Sequence, residues 1–154
     1  MIATYDWDYG DKKSRDERML KYFEVIIDNW HKPWNREWPS NDGKASVTLS
    51  WAEQPQTINE VGSTFTIQGF DLNYAAVILG PSVKYRNGEI VFDPSEKRYA
   101  KMTQNRTLSD GTKKKFGEEL TQHEVRILMT RGVEGLYIYA CDAELRDALK
   151  KSMV

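Results

Sequence analysis

The chain has 154 residues, 40% hydrophobic and 29% charged, which suits one soluble globular domain with its own core. Its formal net charge of -1 hides an asymmetry: from Lys84 to Lys115 nine Lys/Arg face four acids, so a basic segment sits on an otherwise acidic chain. No apolar run approaches the ~20 residues of a bilayer span, and the acidic start of the chain lacks the basic region and apolar core of a secretory signal, so a membrane is not expected as a partner.

In chain order, residues 2–5 are short and apolar and predict a strand. Residues 12–20 are dense in charge with weak helical character. Residues 22–27 (YFEVII) are β-branched and aromatic and predict a strand. Residues 30–39 are rich in Trp and Pro and predict a loop, closed by the turn formers Ser40, Asn41, Asp42 and Gly43. Residues 45–51 alternate through Val47, Leu49 and Trp51, as a strand does. Thr57-Ile58-Asn59-Glu60 fits a capping box and predicts a helix over 58–68 that stops near Gly69. Residues 74–79 (YAAVIL) form the continuous apolar run of a strand buried on both faces of a parallel sheet, and Gly80-Pro81 ends it.

Residues 82–119 form a basic excursion. It opens on a hairpin signal at 85–92, with Asn87-Gly88 at the turn, and its scarcity of apolar anchors predicts mobility over 97–115. Thr121-Gln122-His123-Glu124 fits a second capping box and predicts a helix to about Arg131, ended by Gly132. Residues 136–140 (LYIYA) predict another buried strand, and Asp142 caps a last helix over 143–151. That order implies a single α/β domain over residues 1–154, with a largely parallel sheet flanked by helices. The lone Cys141 excludes an internal disulfide and fits a reducing, cytoplasmic setting; at the end of a buried strand it reads as a small core residue.

Two stretches carry the chemistry. Thr64-Phe65-Thr66-Ile67-Gln68-Gly69-Phe70-Asp71 leads into YAAVIL, and Ile127-Leu128-Met129-Thr130-Arg131-Gly132 leads into LYIYA. Each sets polar side chains beside a strand of a parallel sheet, where α/β folds gather ligands at strand ends. An arginine there can reach a phosphate with its planar fork; the plainer reading is a surface arginine that caps helix carbonyls. The basic segment can bind phosphate or simply be a solvated loop. His31 and His123 have no cysteine at metal-ligand spacing, so no metal site is expected. Glu89, Asp93 and Lys97 are faintly nuclease-like, but a charged surface is the better reading. Trp30, Trp34 and Trp38 read as a small core under a loop rather than a stacking platform.

In order and spacing the two stretches resemble motifs V and VI of superfamily 1 helicases. The nearest resemblance is to the bacterial family of Schlafen-like (group 3) DNA/RNA helicases. Its landmarks are matched by Ala3-Thr4-Tyr5-Asp6-Trp7, Asn59-Glu60-Val61-Gly62, Gln68-Gly69-Phe70-Asp71-Leu72, Val77-Ile78-Leu79-Gly80-Pro81, Tyr85-Arg86-Asn87-Gly88, Asp93-Pro94 and Leu128-Met129-Thr130-Arg131-Gly132. The resemblance implies the second, C-terminal RecA-like domain of a P-loop NTPase motor, with ATP and Mg²⁺ in the cleft between it and an N-terminal RecA-like domain of the same protein. It implies DNA or RNA as the other partner. Arg131 would then be the arginine finger of ATP hydrolysis, with Thr130 beside it. Gly69 and Asp71 would lie near the γ-phosphate and ribose, Gln68 would orient the γ-phosphate or a water, and Thr64 or Thr66 would touch the nucleic-acid backbone. Asp71 departs from the usual Glu by one methylene.

From charge, Lys84, Arg86, Lys113, Lys114 and Lys115 are the further candidate nucleic-acid contacts. No G-x-x-x-x-G-K-[ST] occurs in the chain. The expectation is therefore a fragment that leaves ATP and Mg²⁺ mainly to the other domain and is inactive alone. The competing reading is a non-catalytic nucleic-acid or protein binding module with a vestigial helicase fold. Arg131 separates the two: a motor needs it exposed at a sheet edge, whereas burial against a carboxylate favours the module.

Overall fold

The computed structural model describes residues 1–7, 14–15, 21–34, 49–69 and 71–153. Strand β1 (Ile2–Ala3) is followed by β2 (Ser14–Arg15), β3 (Lys21–Ile27) and β4 (Trp30–Trp34), which form an antiparallel sheet in the order β2-β3-β4. The Trp/Pro segment over 30–34 is thus a strand rather than a loop. It pairs in register with β3, Ile27 opposite Trp30 and Glu24 opposite Pro33. Pro33 is tolerated because β4 is an outer strand, where a missing N–H breaks no ladder. The predicted turn at 40–43, Trp38, and most of the predicted strand over 45–51 lie outside the described residues. Its last residue, Trp51, opens a short 3-10 helix (Trp51–Glu53) instead.

A second 3-10 helix, Pro55–Asn59, replaces the helix predicted over 58–68. The Thr57 hydroxyl does not cap a following helix. It turns back to donate to the carbonyls of Trp51 (2.7 Å) and Gln54 (2.8 Å), the local competition to which short hydroxyl side chains are prone. Glu60 is buried in extended backbone, and turns carry the chain to Gly69.

Strand β5 (Leu72–Leu79) is the centre of the parallel sheet. It is followed by the hairpin β6 (Val83–Arg86) and β7 (Glu89–Phe92), a 3-10 turn (Pro94–Glu96), helix α1 (Ala100–Thr103) and the hairpin β8 (Arg106–Thr107) and β9 (Lys113–Lys114). The first hairpin turns at Asn87 and Gly88, φ 54° and 89°, the paired left-handed geometry that two-residue hairpins demand. Helix α2 (Gly117–Met129) starts four residues before the predicted capping box. Thr121 is buried inside it, its hydroxyl donating to the Gly117 carbonyl at 2.7 Å. Strand β10 (Gly132–Ala140) and helix α3 (Ala143–Ser152) end the domain, with Asp142 capping α3 through Leu145 N at 2.9 Å as the sequence predicted.

The parallel sheet has the order β1-β5-β10, so an α/β domain with helices against a parallel sheet is the observed architecture. One face packs Ala75, Val77 and Leu79 on Leu128 of α2 and Leu145 of α3. Full burial of each leucine contributes about 1.5–3 kcal/mol. Exposed ion pairs contribute ~0–1 kcal/mol, so this apolar contact outweighs the exposed charge pairs on the two helices. The other face carries Ala3, Tyr5, Ile78, Val25, Trp34 and Val61, with Trp7 and Trp30 packed against them. That cluster accounts for Trp30 and Trp34 as core. The two strands expected to be buried on both faces are not: Tyr74 (61%) and Tyr137 (66%) are exposed on the face away from α2 and α3, and Ile138 (38%), beside Val77 on the helix face, is only partly covered.

Candidate functional site

Both motif stretches end at the amino ends of strands, Asp71 before β5 and Arg131 before β10. The rule that α/β ligands gather at carboxyl ends therefore does not apply to them. What brings them together is the ladder itself: Gly132 pairs with Leu72, and Leu72 N donates to the Arg131 carbonyl at 2.8 Å. Two segments some sixty residues apart in sequence meet at one edge. Arg131 Nη1 lies 3.2 Å from Asp71 Oδ1, the arginine side chain 24% exposed and the aspartate 61%. Arg131 Nε donates to the Ile127 carbonyl at 3.1 Å, so the guanidinium also caps the last turn of α2. The Thr130 hydroxyl is committed to the carbonyls of Arg126 (3.0 Å) and Ile127 (3.1 Å). Gln68 and Gly69 are exposed on the same edge, Gly69 with φ 94°.

The expected nucleic-acid contacts fall into three groups. Thr66 is a turn residue, its hydroxyl accepting from Ser63 N (2.8 Å) and donating to Ser63 O (2.9 Å). Thr64 lines a cavity of about 210 Å³ with Tyr5, Phe65 and Tyr99. Lys84 is held by Asp93 (2.7 Å) and Glu96 (3.1 Å), and Arg86 by Asp142 (2.8 Å) and Glu144 (3.4 Å). These two cations brace the β6–β7 hairpin. Lys114 meets Glu119 at 3.2 Å and stacks over Phe116, whereas Lys113 and Lys115 stand exposed beside it.

Neighbouring cations mark two of these carboxylates. Hydrogen bonding to Lys84 lowers Asp93 to about 2, and hydrogen bonding to Arg86 lowers Asp142 to about 2, from an ordinary 3.8. A depressed carboxylate contributes stability above its unfolded value and loses it as pH falls through the folded value. Asp142→Asn keeps the helix cap but not the charge. The melting temperature of the wild type is therefore expected to exceed that of Asp142→Asn at neutral pH, with the gap closing between pH 3.8 and about 2. A gap of equal size at pH 2 would show that the charge pair contributes nothing.

The carboxyl ends of the strands hold a feature that no motif in the sequence announces. Lys97 is fully buried, its ammonium 2.7 Å from Asp6 Oδ1 and in contact with Glu124 Oε2. Asp6 Oδ2 accepts from Ser82 N (2.9 Å) and from the Thr4 hydroxyl (3.1 Å), and Glu124 Oε1 accepts from Tyr5 N (2.9 Å). The cluster ties β1, the end of β5, the 82–97 excursion and α2. Burial pushes the Glu124 carboxyl up, against the pull of Lys97. A Cβ on Gly80 would stand 2.8 Å from Thr4 Oγ1 and against Asp6, so a glycine lets the β5 end approach. Lys97 therefore belongs to the core and not to the basic surface, and Asp93 pairs with Lys84, which dissolves the nuclease-like trio. Burial raises the Cys141 thiol to about 11, the value of an inert side chain. Among the described residues no three His, Cys, Asp or Glu come together as metal ligands, and no helix is long and apolar enough to cross a membrane.

The fold and these edges define an α/β domain with a parallel core sheet, one polar edge built from two motif segments and a buried ion cluster at the other. The chain belongs to the Schlafen group 3, DNA/RNA helicase domain family, whose model matches residues 1–142. It is also 37% identical over 153 residues to an uncharacterized protein of Saccharomyces cerevisiae, covering 97% of this chain and 30% of that protein. The relative is fungal, so the bacterial attribution of the resemblance finds no counterpart there. No solved structure matches the chain. Family membership gives the domain a helicase-related role.

Proposed function

We propose that the chain is the C-terminal, RecA-like motor domain of an ATP-dependent DNA/RNA helicase, completing an ATP site whose P-loop lies in another domain and contacting nucleic acid. The observation that carries this reading is the meeting of Asp71 and Arg131 on one edge, where side chains can face a second domain. The residues fit one side of a nucleotide site. Arg131 offers the guanidinium for the γ-phosphate, and Asp71, with Gln68 and Gly69, offers polar groups toward the ribose and terminal phosphate. Among the described residues nothing cradles the other phosphates or forms a magnesium ligand set, which the bound nucleotide and the partner domain would provide. Bound Mg·ATP supplies the phosphoryl group; Arg131 would stabilise the charge that develops on its oxygens.

The Asp71 pair sets the condition. To act as a finger, Arg131 must leave Asp71 for a phosphate. With Asp71 exposed to water, such a pair costs about 1 kcal/mol to break, small beside the several kcal/mol of a working finger. The same pair, with Nε on the Ile127 carbonyl, favours the second reading, a binding module in which Arg131 is a fixture of the α2 end. The test is turnover. The full-length protein is expected to hydrolyse ATP, faster with single-stranded DNA or RNA, and the 154-residue chain alone to show none above background. Steady turnover by this chain, abolished by mutating one of its own residues, would overturn the assignment.

A further inference from the structure

We propose that the aromatic pocket between Phe65, α1 and α2 takes an unstacked base of a single-stranded nucleic acid, with the β8–β9 hairpin following the adjoining phosphates. This rests on the nucleic-acid part of the function proposed above and adds a site to it. Tyr5 forms the floor, 5% exposed, and Phe65 and Tyr99 stand over it. The ring centroids lie 5.7 Å (Tyr5–Phe65), 5.5 Å (Phe65–Tyr99) and 5.2 Å (Tyr5–Tyr99) apart. The interplanar angles, 87°, 77° and 48°, make none of the three a parallel stack. Phe65 is 56% exposed, much apolar ring for water to touch. Thr64 and His123 give the rim polar atoms, Met102, Leu120 and Ile127 form the apolar wall, and Glu124, its carboxylate already held by Lys97 and Tyr5 N, closes the lining. At about 210 Å³ the cavity is smaller than the roughly 300–1,000 Å³ that encloses a whole cofactor, and so suits a single ring.

Charge selects the occupant. Residues 98–115 hold six cations and one acid, Asp110, and that carboxylate is bonded to Thr112. Arg98 and Lys101 flank Tyr99 on exposed positions, and Arg106 Nη2 donates to the Lys101 carbonyl at 3.3 Å, which joins the basic hairpin to α1. Rings to stack on beside cations that track a backbone are what a single strand requires. A duplex keeps its bases stacked and cannot fill the pocket.

The experiment measures binding of the full-length protein to single-stranded DNA and RNA carrying 2-aminopurine, and to the matching duplexes, across a salt series. Phe65→Ala is expected to weaken single-strand binding about 5- to 150-fold and to abolish the 2-aminopurine response, with the salt slope and melting temperature unchanged. Phe65→Leu, which keeps the apolar bulk, is expected to lose as much, and Phe65→Trp to retain binding. Changing Lys113, Lys114 and Lys115 to Gln is expected to flatten the slope by about 0.7 for each phosphate that is no longer neutralised. Wild-type affinity in Phe65→Ala and Phe65→Leu, with the lysine variant still weakened, removes the pocket and leaves nucleic-acid binding standing. An acidic peptide that competes as well as the oligonucleotide overturns the choice of ligand, and no binding by the wild type overturns both readings.

Discussion

Replacing Lys97 with Met is expected to lower the stability of the domain by about 3–5 kcal/mol, the cost of leaving a buried charge without its partner. A domain of this size has about 5–15 kcal/mol to lose, so the variant should have a much lower denaturation midpoint and a fold close to its limit. Asp6 and Glu124 share that one ammonium, and neither carboxylate has water to turn to, their side chains being 0% and 6% exposed. The triple variant Asp6→Asn, Lys97→Met, Glu124→Gln removes every charge and should recover much of the loss, since buried ion clusters replaced whole are often neutral. Chemical denaturation of the three proteins gives the comparison. A midpoint in Lys97→Met equal to that of the wild type would mean the cluster does not hold the strand ends together.

Arg131→Ala in the full-length protein is expected to reduce ATP turnover by about 10³–10⁵, the range of an arginine finger, while shifting the melting temperature little. The structural side of that expectation comes from geometry: Asp71 is exposed, Arg131 is half-buried, and the Ile127 carbonyl lies at a helix end that water can reach. Arg131→Lys keeps the charge but not the planar fork, and should recover little activity. Asp71→Asn removes the ion pair but not the Arg131 contact with the Ile127 carbonyl, and because Asp71 is itself placed toward the nucleotide it should lower turnover, though far less than Arg131→Ala does. Near-normal turnover in Arg131→Ala would remove the finger assignment. A large fall in melting temperature would make Arg131 the structural fixture of the competing reading.

Where the sequence could be read, periodicity and local chemistry sufficed. The apolar runs at 74–79 and 136–140, Asn87-Gly88 and the Asp142 cap all appear where their local physics put them. The misreadings share a cause. Thr57 and Thr121 each stand three residues before a Glu, the capping-box pattern, yet one hydroxyl serves a 3-10 turn and the other lies inside a helix already begun. In both cases the Glu is buried for tertiary reasons. Trp30 and Pro33 read as loop residues because their strand is made by pairing with β3, an interaction no local window contains. The buried cluster was illegible for the same reason: Asp6, Lys97 and Glu124 lie far apart in the chain, and single charged residues on paper look like surface. The edge with Asp71 and Arg131 was foreseeable only as two separate motif ends; which end of the sheet they share depended on topology.

Strand β10 is an outer strand whose one ladder partner among the described residues is β5, and it presents Val133, Tyr137 and Tyr139 to solvent. A bare, apolar strand edge is a template on which further copies of a protein can assemble into aggregates. Two devices described in the ladder work against this. The register shifts between Gly132 and Gly135, an irregularity that twists the edge out of plane, and exposed Glu134 lies within it, so an approaching copy would set like charge against like. At the far end Arg146 donates to the carbonyls of Ala140 (2.6 Å) and Cys141 (3.1 Å), occupying acceptors that a foreign strand would need. The glycine pair and the glutamate thus oppose edge-to-edge pairing, and a straightened, uncharged version of this strand is expected to aggregate more readily.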